Sequence, residues 1–302
     1  MRKQKIYYSL LAAVFFLSCQ TAPKFSDPLL DGSNFIPLEP GASAYIFADV
    51  QQARPVLDFF PIPEMNDKYV IQIIDKTKSA VMGIYPAESG RQFQLAGWGN
   101  YPSGRGGLAL GMNKSWKKNR SAGGYSYWYS EANRLSVNMS TSQIYASTSR
   151  TTAPSDPFGA GIEFPDAFNE FRRGSFLACW LDTPGPLLNT IFQSMGLPLQ
   201  IPVELIFISL AQANSESAGA YEALIRMKTP SASQARGLAA MISMARLFTS
   251  GNSGGDGLAA LTPVLFANAP VQDSDSLIIK TAPLGEKEIA LLFNLFLVNA
   301  GK

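Results

Sequence analysis

The chain has 302 residues, with 25 lysines and arginines, 23 aspartates and glutamates, and no histidine. Three of the basic residues, Arg2, Lys3 and Lys5, lie within the first five positions, so the rest of the chain is close to neutral. This charge balance does not favour nucleic acid as a partner. The lack of histidine removes the usual metal ligand and every Ser-His or Cys-His mechanism. We therefore expect a non-enzymatic protein without a cofactor or metal.

The first eighteen residues have the pattern of a bacterial export signal. After the cationic start, an uncharged run extends from Ile6 to Leu17 and is followed by Ser18 and Cys19. The run is about twelve residues long, shorter than the roughly twenty that a transmembrane helix needs. We therefore predict a cleaved signal peptide over residues 1–18.

The end of this signal resembles a lipobox, at which a cysteine is lipidated and becomes the new N-terminus. The resemblance is carried by Phe16, Leu17, Ser18 and Cys19. Leucine stands one place later than in most lipoboxes, a departure that spirochaete-type lipoproteins tolerate. The resemblance implies acyl chains such as palmitate on Cys19. It further implies a lipoprotein of the cell envelope, anchored in the outer or inner membrane and facing the periplasm or the cell surface. The alternative is an ordinary signal peptide with an incidental cysteine.

A tether is predicted between the anchor and the folded body. Residues 19–40 contain Pro23, Pro28, Pro37 and Pro40 and show little periodicity, which is typical of a linker. We expect regular structure to begin near Gly41.

The body is predicted to contain two similar halves, residues 41–150 and 174–302, joined by a linker over 151–173. Each half opens with an apolar run that ends in aspartate, at 41–49 and again at 174–182. Each half then reads strand–helix–strand–strand–helix–strand–strand. This order predicts an α+β fold, each half being a mostly antiparallel sheet with helices packed on one face.

The individual elements follow from apolar periodicity and from glycine and proline punctuation. After the opening strands, further strands are predicted over 79–85, 91–101, 204–210 and 220–229. Helices are predicted over 50–60, 104–112, 164–171, 183–195, 232–248 and 286–298. Cys179 lies in the apolar run of the second opening strand and is expected to be a buried, inert thiol.

A basic and aromatic stretch is the best candidate for a binding site. Tyrosines at alternate positions of a strand share one face, while the residues between them face the other way. Basic and aromatic groups together suit a sugar, a single-stranded nucleic acid or an anionic headgroup. The alternative is a solvated loop beside a strand whose aromatic residues pack in the core. The candidate binding residues are Lys114, Trp116, Lys117, Lys118, Tyr125, Tyr127 and Tyr129.

Four patterns bear on an enzymatic alternative. Asp49 and Asp182 occupy equivalent places, where they act either as paired carboxylates or as helix caps. Ser115 and Lys118 form a Ser-x-x-Lys pattern, which needs no histidine. Residues 251–255 fit Gly-x-Ser-x-Gly, but this motif needs a histidine base, so a flexible loop is favoured. Residues 104–107, rich in glycine, suit an anion-binding turn or a plain strand-to-helix turn.

These observations favour a non-enzymatic binding or scaffolding module. Its expected partners are the membrane, through the lipid anchor, and an envelope protein or a glycan. The alternatives are a cell-wall hydrolase that uses carboxylates or a Ser-Lys pair, and a surface-displayed adhesin or antigen.

Overall fold

One antiparallel sheet organises the chain. The computed structural model describes residues 35–57, 68–86, 92–121, 124–132, 134–148, 161–182, 184–185, 188, 203–213, 220–249 and 258–299. Its strands are β1 (Phe35–Ile36), β2 (Ala44–Asp49), β3 (Thr77–Tyr85), β4 (Gln92–Gly99), β5 (Trp116–Arg120), β6 (Ser126–Ser130), β7 (Leu135–Met139), β8 (Gln143–Ser147), β9 (Ile162–Glu163), β10 (Leu177–Leu181), β11 (Leu205–Gln212), β12 (Tyr221–Lys228), β13 (Val271–Asp273) and β14 (Ser276–Lys280).

Seven helices occur among the described residues. They are α1 (Val50–Leu57), α2 (Lys68–Lys76), α3 (Ser103–Met112), α4 (Asp166–Arg172), α5 (Ala232–Thr249), α6 (Leu258–Leu265) and α7 (Glu286–Asn299). Within the part of the chain that is described, no helix has the length and apolarity needed to cross a membrane.

Twelve of the described strands form the large sheet, in the order β13-β14-β12-β11-β10-β2-β3-β4-β8-β7-β6-β5. Every neighbouring pair is antiparallel. The α+β class and the antiparallel sheet are therefore confirmed. Strands β10 and β2 are neighbours within this sheet. Beyond β10 lie β11, β12 and β14, and beyond β2 lie β3, β4 and β8. That the chain contains two similar halves stays a prediction.

One face of the sheet is covered by helices and holds most of the apolar core. Ala53 and Val56 of α1, Leu261 of α6 and Ile289 of α7 pack there in one cluster, and Leu238 of α5 packs in the next. Burying such side chains supplies the main driving force for folding.

The opposite face is covered by α4 and by the N-terminal strap, which we define as residues 36–42. Phe164 and Phe168 contact the strands through Trp180 and Phe207, with ring centroids 5.2–6.4 Å apart. The sequence prediction placed all helices on one face, and α4 is the exception. A wide antiparallel sheet has two faces, and apolar side chains such as Phe47 and Val81 on the second face also need cover.

The predicted tether and linker both extend too far into the folded body. Ile36 and Leu38 are fully buried although they fall within the predicted tether over 19–40. The last part of the predicted linker over 151–173 forms β9 and α4, and β9 pairs with β1. Both segments are needed to cover the second face. The signal peptide, Cys19, residues 251–255 and most of 183–195 lie outside the described residues.

Polar contacts hold the strap on the sheet. The Tyr85 hydroxyl donates to the Glu39 carbonyl at 2.6 Å, and the Gln94 side-chain amide donates to the Glu39 carboxylate at 2.8 Å. The Glu39 N–H in turn donates to the Gln94 amide oxygen at 2.9 Å. Burial raises the pKa of Tyr85 well above its ordinary value, and its tyrosine neighbours add to the rise. The hydroxyl therefore stays protonated and can donate.

Candidate binding face at the sheet edge

The outer hairpin of the sheet, β5–β6, carries the predicted tyrosines. Lys117 lies opposite Tyr129, and Asn119 lies opposite Tyr127. Directly opposite residues of an antiparallel pair share one face, so these four side chains lie together. With Glu131 they line an open concavity of about 250 Å³. We call these five residues the tyrosine face.

The hairpin turn fixes this arrangement. Gly124 has a φ of +84°, a left-handed conformation that glycine adopts without steric cost. The Ser121 N–H donates to the Tyr125 carbonyl at 2.8 Å, and the Tyr125 N–H donates to the Ser121 hydroxyl at 3.1 Å. These bonds set the register that brings Lys117 to Tyr129.

The next strand, β7, supports the hairpin. The Asn138 side-chain amide donates to the Ser126 carbonyl at 2.7 Å. Ser136 lies opposite Tyr129 and is only 1% exposed, and its hydroxyl finds no partner among the described residues. A buried polar atom without a partner is rare in proteins, and this one lies beside Tyr129 on the side of the sheet that carries the tyrosine face.

The remaining predicted binding residues do not line this concavity. Trp116 packs against the apolar cluster around Val137 and Ile144, on the other side of the hairpin. Lys118 also lies on that side, with its Nζ 5.9 Å from the centre of the Trp128 ring. Lys114 is exposed in the turn before β5, and Tyr125 immediately precedes β6. Adjacent residues of β5 point to opposite faces of the sheet, so Trp116 and Lys118 lie on the face opposite Lys117 and Asn119.

Two residues of the tyrosine face were missed by sequence reasoning. Asn119 and Glu131 are isolated polar residues, and neither belongs to a recognisable motif. Their role depends on the register of β5 against β6, which the sequence does not disclose. Asn119 stands two places after Lys117, so an assignment of β5 as a strand would have placed it on the tyrosine face.

The two aspartates of the enzymatic alternative lie far apart. Asp49 caps α1, because its carboxylate accepts the Gln52 N–H at 3.1 Å and the Gln52 side-chain amide at 2.8 Å. The Asp49 N–H donates to the Phe176 carbonyl, whereas the Asp182 N–H donates to the Ser43 carbonyl. The two carboxylates thus stand at opposite ends of neighbouring strands, six residues or about 20 Å apart. They cannot act as a catalytic pair.

Of the other enzymatic patterns, Ser115 and residues 104–107 lie within the described residues, and neither is part of a buried site. Ser115 is exposed in a turn, where its N–H donates to the Asn113 side chain at 3.0 Å. Residues 104–107 form the first turns of α3, and the Gly106 N–H donates to the Pro102 carbonyl at 2.9 Å. Among the described residues, no cluster of three or more acidic, histidine or cysteine side chains could hold a metal ion.

The fold thus belongs to the α+β proteins built on one large antiparallel sheet with helices. It is similar to solved structures of TP0453 from the spirochaete Treponema pallidum. One crystal form matches with a TM-score of 0.60 and 16% identity, over 91% of this chain and 99% of that one. Two others match with TM-scores of 0.58 and 0.59, at 16% and 15% identity, over 89% of this chain. These two matches cover 98% and 99%, respectively, of the TP0453 chains.

At this identity the likeness concerns the fold alone. No family model and no curated protein matches the chain.

Proposed function

We propose that this protein is a lipid-anchored, non-enzymatic binding protein of the cell envelope whose tyrosine face binds a glycan. The observation that carries the proposal is the grouping of Tyr127 and Tyr129 with Lys117, Asn119 and Glu131 around one concavity. All five lie on an outer hairpin, away from the buried core of the sheet. None of the five belongs to the apolar clusters of the core.

The chemistry of the tyrosine face suits a sugar ring. An aromatic ring has an electron-rich face, which attracts the polarised C–H groups on one side of a sugar. The lysine donates hydrogen bonds, the glutamate accepts them, and the asparagine amide does both, so together they match the hydroxyls around the ring edge. A concavity of about 250 Å³ has room for one or two sugar units rather than a folded partner.

The lipid anchor would bring this site to envelope polymers. The lipobox resemblance puts the anchor at Cys19, and the strap is fixed to the sheet from Ile36 onwards. The residues between them, 19–34, span at most roughly 55 Å when fully extended. Such a tether would let the body reach glycan near the membrane while the acyl chains keep it there. The fold shared with a spirochaete protein accords with the spirochaete-type lipobox.

The non-enzymatic part of the proposal is supported by the positions of the candidate groups. Asp49 is engaged in capping α1, and Asp182 stands at the far end of the neighbouring strand. Ser115 is in an exposed turn rather than at the start of a buried helix. A cell-wall hydrolase would need two of these groups to meet around one substrate.

The test is a binding titration of the full chain with muropeptides and a panel of envelope glycans. We expect Tyr127→Ala to weaken binding of any ligand by about tenfold or more, since one aromatic contact is worth roughly 1.4 kcal/mol. Ser126→Ala is the matched control, because Ser126 is exposed on the opposite face of the same strand. Equal affinities of the two variants, or cleavage of the glycan, would overturn the proposal.

A further inference from the structure

The outer edge of β5 is a second surface, separate from the tyrosine face. β5 is the last strand of the large sheet, and among the described residues no strand pairs with its outer side. Its residues Lys117, Lys118, Asn119 and Arg120 are all exposed. An edge strand of this kind offers unpaired N–H and C=O groups to any extended segment that can align with it.

The hydrogen-bond pattern shows which backbone groups point outwards. The Ser121 N–H donates to the Tyr125 carbonyl, so these two residues are a hydrogen-bonded pair of the hairpin. Hydrogen-bonded and non-hydrogen-bonded pairs alternate along an antiparallel ladder. The next hydrogen-bonded pairs away from the turn are therefore Asn119 with Tyr127 and Lys117 with Tyr129. Lys118 and Arg120 therefore direct their N–H and C=O groups away from β6. The Trp116 N–H is used by the turn, where it donates to the Asn113 carbonyl at 3.0 Å.

The side chains of the same two residues are both basic and lie on one side of the strand. Lys118 is held near the Trp128 ring, which limits its orientations. Lys117 adds further positive charge close by, on the other face of the strand. A strand laid against this edge would meet positive charge at the two positions, Lys118 and Arg120, that offer both an N–H and a C=O. Opposite charges directly across an antiparallel pair are stabilising, and like charges are destabilising.

This charge pattern disfavours a second copy of the chain. Two β5 strands paired about a two-fold axis at Lys118 would set that lysine against its own copy. The other edge of the sheet, β13, is only three residues long, and its Asp273 is already bound to Arg226 at 2.8 Å. A β13 strand from a second copy would thus bring an acidic group that is neutralised within its own chain.

We propose that β5 receives an extended acidic segment of another protein as an added antiparallel strand. The segment is recognised by two acidic residues with one other residue between them, and these two align opposite Lys118 and Arg120. In this alignment each acidic residue exchanges both backbone hydrogen bonds with its basic counterpart, and its side chain meets the basic side chain on the same face. Strand addition of this kind obtains affinity from the main chain and specificity from alternate side chains.

The experiment uses the full chain and a fluorescent capped peptide of sequence Thr-Val-Glu-Val-Glu-Val-Thr. We expect Lys118→Glu combined with Arg120→Glu to weaken binding at least tenfold. The same double variant should bind the peptide in which both glutamates are replaced by lysine. Lys114→Glu is the control, because Lys114 lies in the turn outside β5 and should change affinity only slightly. Circular dichroism of each variant confirms folding.

Peptide N-methylation separates strand addition from simple charge attraction. Methyl groups on the two glutamate amides should abolish binding, because those amides face β5. Methyl groups on the amides of the valine between the glutamates and of the valine that follows them should leave it unchanged, because those amides face away from β5. Equal effects of both methylation patterns, no binding of the parent peptide, or binding of anionic vesicles in its place would overturn the proposal. Tyr127→Ala should leave peptide affinity unchanged, so this test fails or succeeds independently of the glycan site.

Discussion

Replacement of Gly99 by alanine is expected to destabilise the fold by about 3 kcal/mol or more. Gly99 ends β4, and a Cβ atom there would lie within 2.9 Å of the Lys76 carbonyl carbon and 3.0 Å of the Thr77 Cα. Both are backbone atoms at the junction between α2 and β3, so neither can move aside by a side-chain rotation. The Lys76 carbonyl is also fixed by the Asn100 N–H at 2.9 Å.

Gly104→Ala is the matched control for this substitution. Gly104 lies in α3, and a Cβ atom there would meet nothing within 4 Å. Alanine in a helix is favoured over glycine by roughly 0.5–1 kcal/mol, so this variant should be unchanged or slightly more stable. Urea denaturation followed by circular dichroism gives both values. If Gly99→Ala unfolded at the same urea concentration as Gly104→Ala, the packing of α2 against β4 would be wrong.

Replacement of Cys19 by alanine is expected to release the protein from the membrane. A lipobox cysteine is the attachment point for the acyl chains, and alanine offers no sulfur to acylate. Each chain contributes about 0.8 kcal/mol for every buried methylene, so the loss of two or three chains changes partitioning by many orders of magnitude. The measurement is incorporation of labelled palmitate together with detergent phase partitioning of whole-cell extracts.

Cys179→Ala is the control, because Cys179 is the only other cysteine of the chain. Its thiol is buried in β10, where desolvation raises its pKa to about 12, so it should be unreactive in the folded protein. After unfolding, the mature protein should yield one reactive thiol if Cys19 is acylated and two if it is free. Palmitate labelling that persists in Cys19→Ala would refute the anchor.

Much of the fold follows from the sequence, because buried strands have a clear signature. The predicted strand over 79–85 matches β3 to within two residues, and the helix predicted over 232–248 matches α5 to within one. The interior strands β10 and β11 read as nearly continuous apolar runs, because the sheet is covered on both faces there.

Two of the missed elements, β5 and the strap, have weak local signals for physical reasons. β5 has four exposed residues of five, so it lacks the apolar alternation that marks a half-buried strand. The strap contains two prolines and no period, yet Ile36 and Leu38 are buried by tertiary contacts with the sheet. Helix α2 is amphipathic and was not predicted, although its apolar residues recur with helical spacing.

The candidate site was predictable only in part. The alternation of Tyr127 and Tyr129 correctly placed both rings on one face of a strand. The partition of Trp116 and Lys118 to the opposite face depends on the pleat of β5, and β5 was not predicted to be a strand. Which side of a hairpin faces the core is decided by long-range packing, and a local pattern of basic residues carries no such information.

Photo-crosslinking in intact cells tests the proposed glycan site most directly, with a benzophenone amino acid placed at position 127 or at position 126. The first site points into the tyrosine face, and the second lies on the opposite side of the same strand. We expect illumination to attach envelope glycan to the chain from position 127 and not from position 126. Equal labelling from both positions, or none from position 127, would contradict the assignment of this face as the binding site.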